Sequence, residues 1–343
     1  MTHPYAGLPD YAFWRRSVGD DTDPVVDSPF RVGPETKIAT AGSCFAQHIS
    51  RMLTEQGYRY LVTEPEGEDA GVFPARFGNI YTPRQLLQTF DRAYAVFRPA
   101  DVAWRREDGA FVDPFRPRVC SAGFASPEEV EAARRGHFSA VRAMFEGCDV
   151  FIFTLGLTEA WVSTRDGAVF PLAPGVAGGE PGDDYAFHNF TVEEMAADLR
   201  AFLRKLRTVN PGVRLILTVS PVPLVATYEP RHVLVSTTYS KAALRVAAET
   251  IVREDPEVCY FPSYEIITGP QARGRYFAED MRTVTAEGVS RAMSIFARHF
   301  LGRDEAPQAP GRSSAPAALS AADRARYDEL AAVVCDEEEL DVG

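Results

Sequence analysis

Residues 37–50, KIATAGSCFAQHIS, contain a strand, a tight turn and the start of a helix. Ile38 to Ala41 is a short apolar run of the kind that forms a buried strand. Gly42 ends it. From Phe45 to Gln56 the apolar residues Phe45, Ile49, Met52 and Leu53 recur at helical spacing and predict one buried face. Ser43 and Cys44, two side chains with nucleophilic atoms, fall between strand and helix. A turn there lifts them to the carboxyl end of a sheet strand, where open α/β sheets hold their ligands. It also sets them at a helix N-terminus, whose dipole and N–H groups favour an anion.

Outward from this unit the pattern repeats. Short apolar runs at Asp149 to Thr154, Arg214 to Val219 and Cys259 to Phe261 alternate with long amphipathic segments at Arg84 to Val96, Pro127 to Phe145, Val192 to Val209, Lys241 to Arg253 and Thr285 to Leu301. Tyr58 to Val62 reads as a further strand, and Trp161 to Leu172 as a hairpin turning at Asp166 and Gly167. Thr82, Ser126, Thr191 and Ser240 read as helix caps, the second and third with Glu three residues on. Such alternation predicts an α/β fold, a three-layer α/β/α sandwich with a mostly parallel sheet. Residues 1–34 read as an arm that packs through Tyr11, Phe13 and Trp14. Residues 35–302 form the α/β domain, and residues 303–343 a linker, one short helix near 321–333 and an acidic tail.

A formal charge of -12, with no Lys/Arg run, argues against nucleic acid and anionic membrane as partners. The five cysteines are scattered, with no Cys-x-x-Cys, so neither a metal site nor a disulfide framework is expected. No run reaches transmembrane length and the first residues lack a signal-peptide pattern, which predicts a cytoplasmic protein. There is no Gly-x-Gly-x-x-Gly after the first strand and no Gly-x-x-x-x-Gly-Lys, so no nucleotide cofactor is expected, nor any other.

Gly42-Ser43-Cys44-Phe45-Ala46 resembles the signature of the GSCFA family, which is similar to the SGNH (GDSL-type) esterases and acyltransferases. The resemblance implies their fold, acyl-ester chemistry and four site blocks. In the first block a gapless overlay sets Cys44 in the nucleophile position, and a one-residue slip gives that role to Ser43. Gly78, with Asn79, stands for the Gly whose N–H joins the oxyanion hole. Gly156-Leu-Thr-Glu159 overlies Gly-x-Asn-Asp, so Thr158 replaces the oxyanion donor and Glu159 the acid. Asp280-Met-Arg-Thr283 overlies Asp-x-x-His, and Thr283 stands where the general base belongs. A hydroxyl does not act as a base near neutral pH. Proton handling then falls to His188 or His232 from loops, to Glu159 or Asp280 beside an acidic Cys44, or to nothing, if the site only binds.

Other polar residues weigh differently. Arg116 sits in a Pro-stiffened loop with Asp113, and a structural ion pair outweighs a substrate contact. Ser220 ends a strand and faces the same crevice as Ser43. Ser240-Lys241 suggests a Ser–Lys pair, but a helix cap followed by a solvated lysine outweighs it. His48 reads as a packing residue, and His137 and His299 as helix-surface residues. The expectation is an esterase or acyltransferase acting on a small-molecule or glycan acyl ester. The alternative is a binding protein on a decayed esterase site.

Overall fold

The computed structural model describes residues 3–302 and 340. The linker, short helix and acidic tail expected beyond residue 302 lie outside the described residues, apart from Leu340.

Four parallel strands form the central sheet in the order β1 (Ile38–Gly42), β4 (Val150–Leu155), β8 (Arg214–Val219), β9 (Val258–Phe261). Tyr58 to Val62 does not make a full strand; a single parallel bridge joins Tyr60 to Ile38. The strands are buried on both faces, and alternate residues serve opposite layers. Ile38, Val150, Ile152 and Ile216 pack with Ile49 and Leu53 of α2 (Ala46–Glu55) and Phe296 of α8 (Ala286–Phe300). Ala39, Phe151, Phe153, Leu215 and Leu217 pack against α3 (Pro83–Ala93), α4 (Pro127–Gly147), α5 (Val192–Val209) and α6 (Val233–Glu254). These are the three layers that the sequence pattern predicts. Thr191 and Glu194 form a reciprocal capping box at the start of α5, a device that supplies about 1 kcal/mol.

Two smaller sheets accompany the central one. The expected hairpin is present as β5 (Glu159–Ser163) and β6 (Val169–Phe170), and β7 (Tyr185–Asn189) adds a third antiparallel strand. A short ribbon pairs β2 (Trp104–Arg105) with β3 (Phe111–Val112).

Three expectations need correction. The N-terminal arm holds the one-turn helix α1 (Trp14–Ser17), yet Tyr11 and Trp14 are 60% and 67% exposed. The arm meets the body through Val25, Phe30 and Val32 instead. His137 is not on the helix surface but buried, with Nδ1 2.7 Å from Glu64. Helix α6 begins after His232, eight residues before Ser240, so Ser240 lies inside the helix and caps nothing there.

Candidate functional site

The carboxyl ends of β1, β4 and β8 meet at one place. Past the last β1–β4 pair, Ser43 N donates to Thr154 O at 3.1 Å, and Ser220 N donates to Leu155 O at 2.8 Å. Gly42 makes this possible. Its φ is +142°, and a Cβ there would stand 2.4 Å from the Thr154 carbonyl oxygen. Gly156 is the second close approach. A Cβ on it would stand 3.1 Å from Ser43 Cβ and 2.9 Å from the Tyr81 ring.

A small cavity of about 10 Å³ lies between these ends, and Ser43, Cys44, Gly156, Leu157, Ser220 and Lys241 line it. Ser43 is buried and its Oγ has no hydrogen-bond partner among the described residues. It does not cap α2, which starts without a side-chain cap. Cys44 is buried and disulfide-bonded, against the expectation from cysteine spacing, so its sulfur is not a thiolate in this state. Lys241 corrects another expectation. The lysine is 2% exposed rather than solvated, and its Nζ donates to Gly156 O at 2.5 Å. A buried ammonium is costly unless it is held by oxygen partners or has work to do.

The helical period could have found it. Counting back from Ile251 through Ala248 and Leu244 along the buried stripe of α6 lands on Lys241. Reading Ser240 as a cap placed the lysine in a first turn and hid that stripe.

The other expected site residues divide. Gly78 and Asn79 lie alongside the end of β1, because Ile80 N donates to Gly42 O at 2.8 Å and Gln47 Nε2 lies 3.4 Å from Asn79 Oδ1. They line a separate small cavity with Arg116. Thr158 is buried beside Ser240, whose Oγ accepts its N–H at 3.0 Å, and its own Oγ donates to Asn189 at 2.7 Å. Its hydroxyl is therefore committed away from an oxyanion. Glu159 accepts from Thr227 Oγ1 at 2.6 Å and from Tyr228 N at 3.2 Å.

Asp280 and Thr283 are exposed and close on each other. Asp280 accepts both the hydroxyl and the N–H of Thr283, which hold its carboxyl below the usual range. His188 pairs with Glu194 at 2.9 Å on the far strand of the small sheet, and His232 caps α6 by accepting Leu234 N at 3.1 Å. None of these four lines the Ser43 cavity. His48 packs on the Phe45 ring; burial, then Arg51, pushes it down to about 3.

Arg116 belongs to a buried ion cluster. Its Nε donates to Asp113 at 3.0 Å, and Arg134 donates to the same carboxylate at 2.6 Å. Burial alone would raise the Asp113 carboxyl, but Arg116 and Arg134 outweigh it and hold it well below the usual range. This is the structural pair that the loop sequence suggests. Among the described residues no group of three or more His, Cys, Asp or Glu could hold a metal, and no helix is long and apolar enough to cross a membrane.

Next to the Ser43 cavity opens a larger cleft of about 310 Å³. The two share Tyr81, Leu157 and Leu224 as a common wall. Trp161, Phe187 and Tyr228 form its aromatic side, with ring centroids 5.0 Å apart for Trp161–Tyr228 and 5.3 Å for Phe187–Tyr228. Trp161 belongs to the hairpin that the sequence pattern shows, whereas Phe187 and Tyr228 come from the unforeseen β7 and from a loop.

The model of the GSCFA family matches residues 37–296. A comparison with curated proteins finds no match. Among solved structures the chain is similar to a carbohydrate esterase family 3 protein from Talaromyces cellulolyticus, at 11% identity and a TM-score of 0.37, over 77% of this chain and 95% of that one. It is also similar to an acetyl esterase mutant with acetate ion, at 12% identity and a TM-score of 0.35, over 77% and 95%. A third likeness is to an acetyl xylan esterase from Butyrivibrio proteoclasticus, at 12% identity and a TM-score of 0.29, over 78% and 63%.

Proposed function

The chain belongs to the GSCFA family, and from that premise we propose that it is an acyl-ester hydrolase or acyltransferase with Ser43 as its nucleophile. The observation that carries this reading is the buried Ser43 hydroxyl, without a partner among the described residues, in a cavity that also holds the buried Lys241. An unsatisfied buried hydroxyl costs about 1–3 kcal/mol. Such a cost is found where a group is kept for chemistry.

In this reading Ser43 Oγ attacks the acyl carbon and the ester C–O bond breaks. The leaving oxygen takes up the serine proton through solvent water and departs as the alcohol. A water or an acceptor hydroxyl then removes the acyl group from Ser43. The Lys241 ammonium, fixed at Gly156, faces the negative charge that develops on the carbonyl oxygen. It takes the part expected of Thr158, whose hydroxyl is committed to Asn189. No imidazole supports the step at this cavity. Oxyanion stabilisation and substrate binding without a base still supply roughly 10³–10⁴ over water, so a slow enzyme is expected.

The test is a pair of labelling reactions read by intact mass and peptide mapping. A fluorophosphonate should modify Ser43, and Ser43→Ala should lose both labelling and ester turnover while it still folds. Iodoacetamide, with and without a thiol reductant, asks about Cys44. Labelling at Cys44 after reduction, with turnover surviving in Ser43→Ala, would transfer the role to the thiol.

The exposed, self-paired Asp280–Thr283 favours a second reading, a binding protein on this cavity. It requires that both reagents leave Ser43 and Cys44 unmodified and that no ester is turned over.

A further inference from the structure

We infer that the cleft beside Ser43 is an acyl-chain site, and that the preferred substrates are esters of apolar acids of about eight to ten carbons. The inference rests on the ester reading above and names its substrate class.

Position comes first. Tyr81, Leu157 and Leu224 wall both the Ser43 cavity and the cleft, so an acyl carbon at Ser43 directs its chain into the cleft. Leu157 directly follows Gly156, whose carbonyl holds Lys241.

Chemistry comes second. A sugar in this cleft would need donors and acceptors for its hydroxyls, because buried polar groups left unpaired are penalised. Four polar side chains of the lining, Thr82, Gln85, Glu159 and Thr227, are already committed within the protein. Thr82 Oγ1 accepts Gln85 N at 3.1 Å. Gln85 accepts Tyr81 N at 2.9 Å and donates to Asn79 O at 2.9 Å. Both Glu159 oxygens are taken by Thr227 and Tyr228. What remains to a ligand is mostly apolar: the faces of the Trp161, Phe187 and Tyr228 rings, with Leu172 and the aliphatic side chain of Leu340, beside one indole N–H and one phenol hydroxyl.

Volume comes third. The 310 Å³ of the cleft holds roughly ten groups of about 30 Å³, the share of one water in the liquid and close to that of a methylene. An acetyl group would leave most of it unfilled.

The experiment is a series of p-nitrophenyl esters from two to twelve carbons, with kcat/KM measured for each. Each methylene entering the cleft should raise kcat/KM by about fourfold, with the rise levelling near eight to ten carbons. Ala160→Phe, whose new ring would occupy the cleft from β5, should move the optimum toward acetyl. Ala226→Trp, at an exposed position on the rim, gives the same reading should the first variant fold poorly.

A flat profile with acetate turnover intact overturns the acyl-chain site and leaves the ester reading standing. So does a preference that follows the alcohol in a series of alkyl acetates and ignores the acid. Loss of turnover on every ester, with Ser43 unlabelled, removes the ester reading itself and the inference with it.

Discussion

Replacing Lys241 by methionine is the sharpest perturbation the site offers. Methionine keeps the length and apolar bulk of the lysine stem and removes only the ammonium. Lys241 Nζ is held at Gly156 O, 2.5 Å away, and Gly156 lies against Ser43. A unit charge about 4 Å from a developing oxyanion, at an effective dielectric of about 20, contributes about 4 kcal/mol. Loss of one donor of an oxyanion hole costs about 10²–10³ in kcat, which is the same scale. The expected result for Lys241→Met is therefore a fall of about 10²–10³ in kcat, with KM changed by less than about threefold. The charge is felt in the transition state and little in the ground state.

Stability should move far less. Gly156 O loses a donor, which costs about 1–3 kcal/mol, while removal of a buried charge offsets part of that loss. The assay is steady-state turnover of a p-nitrophenyl ester beside a thermal melt of the same sample. A variant that melts like the parent and keeps kcat within about tenfold would refute the electrostatic role. A parallel loss of melting temperature and turnover would reduce Lys241 to a structural residue.

Two further outcomes follow from the geometry. Gly42→Ala would drive a Cβ to 2.4 Å from backbone of β4, so no soluble folded protein is expected, whereas Gly78→Ala (φ +70°, nothing within 4 Å of a Cβ) should cost only about 1–2 kcal/mol by urea unfolding. Burial, aided by Arg116 and opposed by Glu64, pushes His137 down to about 4, below its unfolded value of about 6.5, so stability is full above pH 6.5 and lost as pH falls toward 4. His48 adds in the same direction, while Asp113, whose carboxyl is held low, has lost nothing at pH 5. Urea midpoints should thus fall by the equivalent of about 2 kcal/mol per histidine between pH 7 and pH 5, and a flat profile contradicts the buried, neutral imidazoles.

What the sequence discloses follows from which interactions are local. The strand–turn–helix at residues 37–50 is legible because period, glycine and nucleophile sit within fourteen residues. The order of layers is legible because each apolar run and each amphipathic run carries its own period. Partnership across the sheet is less so. His137 looks like a polar residue on a helix, and only the fold brings Glu64 to it. Thr158 reads as a hydroxyl waiting for an oxyanion until β7 delivers Asn189. The third strand of the small sheet, from Tyr185 to Asn189, lacks the β-branched run that announces a strand. Its pairing with β5 decides where Phe187 stands in the cleft.

Energetic cost is itself unevenly placed in this molecule. The Asp280–Thr283 pair, in the position where the resemblance puts acid and base, is exposed and satisfied, and replacing it would cost little. The strand ends carry the opposite: a buried hydroxyl without a partner among the described residues, a buried ammonium, and two glycines where a Cβ would crowd backbone or ring. A fold selected only for stability would replace Ser43 by alanine, since apolar substitution of an unsatisfied buried hydroxyl is neutral or stabilising. Several such costs meet in one small cavity that opens on an apolar cleft. That concentration argues for chemistry at Ser43, and it argues that the charge serving it comes from α6 and not from the loop before α8.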